Sequence, residues 1–414
     1  MPPRIRYTLY FLALALALAG HYVWRKNQPA PPDHRVLSRT EAGVGKPGTV
    51  EILSSAYKID RIYKSMQGPV SVQDGLQIST GRGADETLLL TGVESEVVEA
   101  TSLAPLSPEF FCHANLTLAS GSASPDQHNA GFTPATHADW RLFTLVPGRL
   151  GMQLPEGFGV PVKNGTRLDY LTMVLNQNAG VPEQDIRIRT RIHYAPAGPG
   201  MRALFRRAAY IYLAHEETPD AGVAADPHAH AGEKCGEACT MNQRSASPSL
   251  FADISDPILR QHPGASCCIE NASTGGILPQ FGSNNTIHWM VPPGQHRYTT
   301  EVTKQLNLPY DTRAHYITGH LHPTGVRLRL LEKATQKTVA EICSRDFTDK
   351  TGVADMTELR SPEGILLRKD TAYELEAEYD NKTGQPIDAM AILYLYLAED
   401  PASATPDHAV ASKP

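Results

Sequence analysis

The sequence predicts an all-β protein with two domains, and three observations favour this class. From Thr49 onward, short runs rich in β-branched and aromatic residues alternate with clusters of turn-forming residues. Two of the runs, IRIRTRIHY and ELEAEY, alternate strictly in the period-2 pattern that is typical of half-buried strands. Glycine and proline number 32 each, which suits many short strands joined by turns. At 414 residues the chain exceeds what one hydrophobic core usually serves, so we expect two domains.

The N-terminal segment, residues 1–26, is predicted to direct export. Two arginines precede an apolar run over residues 8–20, which is the layout of a secretory signal. The small residues at 17–19 suit cleavage, whereas the apolar residues at 22–24 extend the run toward the length that spans a membrane. Both a cleaved signal peptide and a membrane anchor therefore remain open. In either case we expect a periplasmic or extracellular protein, which an uncleaved segment would tether to the membrane.

The rest of the chain divides by composition. Residues 27–49 are polar and rich in proline, which is typical of a linker. The strand-like pattern fails between His215 and about Asn285, so we expect an insertion there. The predicted units are the linker at 27–49, an N-terminal β-sandwich at 50–201, a C-terminal β-sandwich at 202–400 with a Cys/His-rich insertion at 215–285, and a disordered tail at 401–414.

Charge and cysteine content narrow the range of partners. Charged residues make up 20% of the chain, the formal net charge is −6, and acids and bases are interspersed. This pattern argues against a nucleic-acid partner. Six cysteines in an exported chain predict up to three disulfides, and sequence leaves their pairing open.

The segment YITGHLHPTG carries the first candidate metal ligands. His320 and His322 are two residues apart, so on an extended strand both side chains project from the same face. Paired imidazoles suit copper, zinc, iron or nickel, and the pair alone does not choose among them. Two histidines at this spacing are also common on strand surfaces.

Three stretches around this motif resemble a known family. They run from VPPGQHRYTTEV through LPYDTRAHYITGHLHPTGVRLRLLEK to EAEYDNKTGQPIDAMAILYLYLAED. They are similar to the C-terminal domain of the copper type II, ascorbate-dependent monooxygenases, the family of peptidylglycine alpha-hydroxylating and dopamine beta-monooxygenases. The resemblance continues more weakly upstream, between about Thr49 and Asp400 apart from the insertion. It implies two tandem antiparallel jelly-roll sandwiches.

The resemblance also implies a ligand set for copper. In the family an HxH strand is followed, some seventy residues later, by a methionine before a tyrosine-rich strand, and here Met390 lies 68 residues after His322. His320, His322 and Met390 are thereby implied as ligands of an oxygen-binding copper, with ascorbate as the reductant. A thioether beside two imidazoles favours Cu(I) and leaves positions open. The alternative for Met390 is a core methionine on a buried strand.

The first half departs from the family pattern at the second copper site. The family presents an adjacent pair of histidines and a third histidine near a strand end, which together hold an electron-transfer copper. Here the pair reads Cys112-His113, and the third position falls on Asn176. An Asn amide is a poor ligand for Cu(I), so a site of the family type is in doubt. Cys112 has the alternative of a half-cystine, and His193 is assigned to a structural strand.

Substrate-binding positions depart as well. The peptide-amidating members carry an arginine two residues before their first HxH histidine and an asparagine two residues after the methionine, where this chain has Thr318 and Ile392. The tyrosine four residues after the methionine is retained as Tyr394, which is the candidate catalytic residue. A peptide carboxylate would be left unpaired in such a cleft, so a glycine-extended peptide is not expected as the substrate.

The insertion holds a second cluster of potential ligands. PHAHAGEKCGEAC places His228, His230, Cys235 and Cys239 within twelve residues, which could hold a tetrahedral zinc or a Cu(I). The alternative is that the cysteines form disulfides while the histidines are solvated.

These observations predict a copper monooxygenase-like protein that hydroxylates a small molecule or a peptide whose identity the sequence does not give. Two alternatives stay open. One is an exported copper-binding protein without catalysis, and the other is a metal-free structural β-sandwich protein at the cell surface.

Overall fold

A computed structural model describes residues 34–42, 47–63, 68–80, 83, 86–119, 141–214 and 285–398. Within these ranges the backbone is almost entirely β-strand, with one 3-10 turn at Pro108–Phe110 and one short helix, α1 (Thr303–Leu306). The predicted all-β sandwich class is confirmed. The N-terminal segment 1–26, the tail 401–414 and the insertion up to residue 284 lie outside the described residues.

The strands of the first half are β1 (Arg35–Thr40), β2 (Gly48–Leu53), β3 (Tyr57–Ile59), β4 (Val70–Gln77), β5 (Thr87–Glu99), β6 (Phe111–Leu118), β7 (Arg141–Leu145), β8 (Gly151–Gln153), β9 (Phe158–Lys163), β10 (Arg167–Val174) and β11 (Gln184–Pro196). Those of the second half are β12 (Arg202–Tyr210), β13 (Leu213–Ala214), β14 (Asn285–Thr286), β15 (Trp289–Val291), β16 (Gly294–Glu301), β17 (Thr312–Leu321), β18 (Gly325–Glu332), β19 (Thr338–Asp346), β20 (Val353–Met356), β21 (Glu358–Leu367), β22 (Tyr373–Asn381), β23 (Ile387–Ala389) and β24 (Ala391–Ala398).

One long sheet runs through both halves in the order β1-β2-β11-β5-β9-β12-β24-β17-β21, with β3 on β11 and β8 on β5. The halves join at β9 and β12, which pair in parallel over two residue pairs, whereas the other pairings in the sheet are antiparallel. A four-stranded sheet, β4-β10-β6-β7, belongs to the first half, and a five-stranded sheet, β16-β22-β18-β19-β20, to the second.

Two apolar cores result from this arrangement. The first is built from β2, β5 and β11 of the long sheet together with the four-stranded sheet. The second is built from β12, β17 and β24 together with the five-stranded sheet. Each core lies between the long sheet and one of the two smaller sheets, as in a β-sandwich. The domain limits 50–201 and 202–400 stay a prediction.

Strand β24 lies between these cores, which explains why all eight of its residues are buried. Leu393, Leu395 and Leu397 point into the second core, because alternate residues of a strand face the same side. On the opposite face Tyr396 joins the first core. Its hydroxyl donates to the backbone carbonyl of Leu142 at 3.0 Å, and its ring lies 5.5 Å from that of Phe143 on β7. The face of β24 that carries tyrosines is therefore packed against the first half.

Candidate metal centre

The register between β17 and β24 places the HxH motif and Met390 on one face of the long sheet. His320 pairs with Ile392, and Leu321, the last residue of β17, pairs with Ala391. The ladder continues for one more residue, since the backbone N–H of His322 donates to the carbonyl of Met390 at 3.4 Å. Directly paired residues share a face, and so do residues two apart. His320, His322 and Met390 therefore project from the side that Tyr394 also faces.

The three predicted ligands line the same pocket. The ring centroids of His320 and His322 are 5.1 Å apart, and their planes make an angle of 80°. His320 is 9% exposed, His322 6% and Met390 7%. The hydroxyl of Tyr379 donates to the carbonyl of Met390 at 2.7 Å and holds that backbone in place. Two imidazole side chains and a thioether side chain thus line one buried pocket, and their role as copper ligands stays a prediction.

Two further polar side chains complete the group, and the sequence reasoning missed both. Oδ2 of Asp388 lies 2.9 Å from Nδ1 of His322, and Oδ1 of the same carboxylate lies 3.2 Å from Nδ1 of His288. The His288 and His322 rings are 5.4 Å apart and meet edge to face. Ligand atoms of His288, His322 and Asp388 all lie within 4.8 Å of one another. One carboxylate therefore faces two imidazoles.

Strand pairing explains how this carboxylate reaches the histidines. Strand β15 pairs with β23, with Trp289 opposite Ala389 and Met290 opposite Asp388. Continuing that register by one residue sets His288 opposite Met390. Asp388 precedes Met390 by two residues, which is a signal for a shared face, but nothing in the sequence indicates that β15 is the neighbour.

Electrostatics keep His320 neutral, which is the form that binds metals. Burial holds the pKa of His320 well below its ordinary value, and the nearby His322, His113 and His288 lower it further. Nδ1 of His320 is buried without a hydrogen-bond partner. Burial by itself would raise the pKa of Asp388, but His322 and His288 outweigh that effect and hold it well below the ordinary carboxyl value. The group thus combines an ionised carboxylate with a buried nitrogen whose lone pair or proton is unsatisfied.

The opposite wall of the pocket comes from β6 and β7 of the first half. Strand β6 has a bulge at Cys112, because Met173 on β10 pairs with His113 and the next residue, Val174, pairs with Phe111. The bulge lets the adjacent Cys112 and His113 both line the pocket, with Sγ 3.3 Å from Nδ1. Burial lowers the pKa of His113 to about 3, with a smaller contribution from Arg141.

Asn176, the third position of the implied electron-transfer site, is not part of the pocket wall. Its Nδ2 donates to the carbonyl of Arg61 at 3.0 Å, and its Oδ1 accepts the backbone N–H of Asn178 at 3.1 Å. Both ends of the amide are therefore engaged in holding a loop. His193 lies on β11, where Nδ1 is 3.1 Å from the Thr49 hydroxyl, away from the pocket.

Tyr394 lines the pocket between the two walls. Burial raises its pKa, so the phenol stays protonated at neutral pH. The guanidinium of Arg206 lies 4.8 Å from the centre of its ring, on the strand next to β24. The proximity of Tyr394 to His320 and Met390 follows from their shared strand face.

The pocket encloses a cavity of about 100 Å³. A water molecule needs roughly 10–15 Å³ of such space, so several waters or a small organic molecule fit. Apolar side chains, including Val146, Ile287 and Ile392, form part of its wall beside the ligand group. A small molecule in this cavity would contact the donor atoms directly.

The candidate ligands His228, His230, Cys235 and Cys239 lie outside the described residues. Within the described ranges, no helix is both long enough and apolar enough to cross a membrane.

No protein-family model matches the sequence, and no curated protein matches it either. Among solved structures, the chain is similar to the major capsid protein P2 from bacteriophage PM2 at 9% identity and a TM-score of 0.29, covering 84% of this chain and 98% of that one. It is also similar to the ANXUR2 extracellular domain from Arabidopsis thaliana at 8% identity and a TM-score of 0.17, covering 90% of each chain. At these TM-scores the likenesses carry no argument about function.

Proposed function

We propose that the chain is an exported, copper-dependent monooxygenase-like protein in which His320, His322 and Met390 hold one copper. The observation that carries the proposal is that two imidazoles and a thioether from neighbouring strands of the long sheet line one pocket, beside space for a small molecule. A metal-free structural protein would have no need for such a polar group in its interior. Buried polar atoms without partners are rare because each costs about 1–3 kcal/mol.

The donor set fits copper. Nδ1 of His320 is a buried nitrogen without a hydrogen-bond partner, and histidines near metals satisfy one nitrogen with the metal and the other with a hydrogen-bond acceptor. A thioether beside imidazoles is a ligand for Cu(I) and is unusual for zinc. Copper held there would supply dioxygen binding and reduction.

The residues of the chain would divide the remaining work. His320 stays neutral because burial lowers its pKa, Asp388 orients His322, Met390 supplies the soft donor, and apolar side chains form part of the cavity wall. In the overall reaction one oxygen atom enters a substrate C–H bond and the other leaves as water. Two electrons come from a reductant such as ascorbate. With Asn176 engaged elsewhere, we propose a single copper and a different electron route from that of the family.

Asp388 is proposed as a positioning residue. A carboxylate oxygen 2.9 Å from Nδ1 of His322 favours a proton on that nitrogen, which leaves Nε2 of the ring as the nitrogen offered to the metal. The same carboxylate orients His288, which lies across from Met390. The pairing of β15 with β23 and of β17 with β24 sets the positions of Asp388 and of the two histidines on which this proposed role depends.

Changing Asp388 to asparagine should therefore weaken copper binding by roughly 10–100-fold without abolishing it, as is usual when a residue that orients a ligand is lost. A competition titration with a Cu(I) chelator measures the change. The matched control is Asp311→Asn, because Asp311 pairs with Arg368 on the surface and precedes β17, at the end of that strand away from the histidines. Equal affinity in Asp388→Asn and the parent would contradict the positioning role.

A second candidate rests on the same carboxylate. Two histidines and one carboxylate are a common set of ligands for a divalent ion such as Fe(II) or zinc, and the His288, His322 and Asp388 ligand atoms are close enough for one ion. Asp388→Asn distinguishes the candidates. It would abolish a divalent site of which Asp388 is a ligand, but only weaken a copper site that it positions.

Measuring oxygen uptake distinguishes a copper enzyme from a protein that only binds copper. The protein is loaded with Cu(I) anaerobically and then exposed to oxygen with ascorbate and a panel of small organic molecules. An enzyme consumes oxygen in a manner that depends on an organic molecule and forms a hydroxylated product. Stoichiometric copper with no uptake above that of free copper would favour the non-catalytic copper-binding alternative.

A further inference from the structure

The charge balance of the pocket is uneven. Apart from histidines, Glu109 and Arg141 are the charged residues among the side chains that line it. Glu109 is neutralised, because its Oε2 lies 3.2 Å from Nζ of Lys350 and accepts Nδ2–H of Asn178 at 3.1 Å. Among the residues that the structure describes, no carboxylate compensates Arg141 in this way.

Arg141 is the first residue of β7 and is half-buried at the pocket wall. In the described part of the chain no carboxylate lies within 4.0 Å of its guanidinium. Arg141 lines the pocket together with His113 and Tyr394, so its side chain belongs to the polar part of the wall. A partly desolvated guanidinium without a counter-ion is a site that an anion would stabilise.

The surroundings of Arg141 reinforce the positive potential. Arg206 donates from Nη2 to the Thr144 hydroxyl at 3.1 Å, and Thr144 itself lines the pocket and donates to Oδ1 of Asn115 at 2.9 Å. Arg206 also lies over the face of the Tyr394 ring. The β7 side of the cavity is thus cationic and polar, whereas the side near Ile287 and Ile392 is apolar.

We propose that the pocket binds a small organic carboxylate, with Arg141 holding the carboxylate and the apolar body lying against Ile287 and Ile392 beside the metal ligands. The assignment of this molecule as a substrate rests on the proposed copper function, whereas its binding does not. The cavity of about 100 Å³ limits the occupant to a small molecule. The anchor comes from β7 in the first half.

Arginine suits this task because its planar fork matches a carboxylate with two parallel hydrogen bonds, which lysine cannot reproduce. The chemistry predicts a strict order of ligands that share one apolar body. A carboxylate should bind, a neutral alcohol should bind more weakly, and an ammonium group should be rejected by the guanidinium.

Calorimetric titration of the metal-free protein with phenylacetate, 2-phenylethanol and phenethylamine tests the proposal. Phenylacetate should bind most tightly, and Arg141→Gln should weaken it by about 10–100-fold, since hydrogen bonds to charged groups contribute about 1.5–3 kcal/mol. Arg141→Lys should retain part of the affinity. Arg345→Gln, which changes an exposed arginine outside the pocket, should bind as the parent does.

Equal affinity for the three probes, no binding of phenylacetate, or unchanged phenylacetate binding in Arg141→Gln would overturn the proposal. Copper loading of the same proteins keeps the two proposals apart. Arg141→Gln should load copper as the parent does, which also shows that the variant is folded. A parent that binds phenylacetate but takes up no copper would overturn the proposed function and leave the anion site standing.

Discussion

Replacement of His322 by alanine should reduce the copper content from about one ion per chain to near zero after Cu(I) loading and desalting. His322 supplies one of two imidazoles, and its loss leaves one nitrogen and one sulfur, which cannot hold the ion against the wash. The change also leaves the carboxylate of Asp388 without one of its two neighbouring imidazoles. Metal analysis of parent and variant by mass spectrometry measures the difference.

His193→Ala is the matched control for this experiment. His193 is also a strand residue, on β11. It lies near Thr49 of β2 and Glu94 of β5 and does not line the pocket. Its removal should leave the copper content unchanged. Equal copper in the parent and in His322→Ala would show that the ion, if bound, is held elsewhere.

Replacement of Tyr396 by alanine should lower the free energy of unfolding by about 3–5 kcal/mol, the usual cost of truncating a large buried aromatic residue. The ring is fully buried between β24 and β7 and contacts the rings of Phe143 and Tyr316. Its loss would leave a cavity between β24 and β7 and remove the hydrogen bond to Leu142. Urea unfolding followed by circular dichroism measures the change.

Tyr396→Phe isolates the hydroxyl from the ring in this test. It should cost about 1–3 kcal/mol, because the carbonyl of Leu142 would lose its buried donor while the packing stays. A loss below about 1 kcal/mol in Tyr396→Ala would show that the halves do not depend on this contact.

Much of the fold follows from local sequence pattern. The strictly alternating run IRIRTRIHY lies within β11, and the tyrosine-rich AILYLYLA lies within β24. The pattern could not indicate that both faces of β24 are buried by different cores. That property depends on which sheets face β24, and the partners come from distant parts of the chain.

The sequence predicts those parts of the candidate site that depend only on the spacing of residues along one strand. His320 and His322 share a face because strand side chains repeat every two residues, and the resemblance supplied Met390. Asp388 and His288 meet only because β23 pairs with β15, which no local signal indicates. Arg141 likewise joins the pocket through sheet packing, since it belongs to the opposite wall.

Cys112, His113 and Asn176 show what a sequence register cannot predict about a site. The register of the resemblance brings Cys112 and His113 to the pocket, and a bulge in β6 lets both residues line it. The same register selects Asn176, whose amide is engaged by backbone groups of a loop. A sequence register gives a position along a strand, but hydrogen bonds with neighbouring segments decide where the side chain points.

X-ray absorption spectroscopy of the Cu(I)-loaded protein tests the assignment of His320, His322 and Met390 most directly. We predict imidazole nitrogen neighbours and one sulfur neighbour, with the sulfur signal lost in Met390→Leu and retained in Cys112→Ser. A spectrum without sulfur, or one that Met390→Leu leaves unchanged, would contradict a copper centre at this place in the fold.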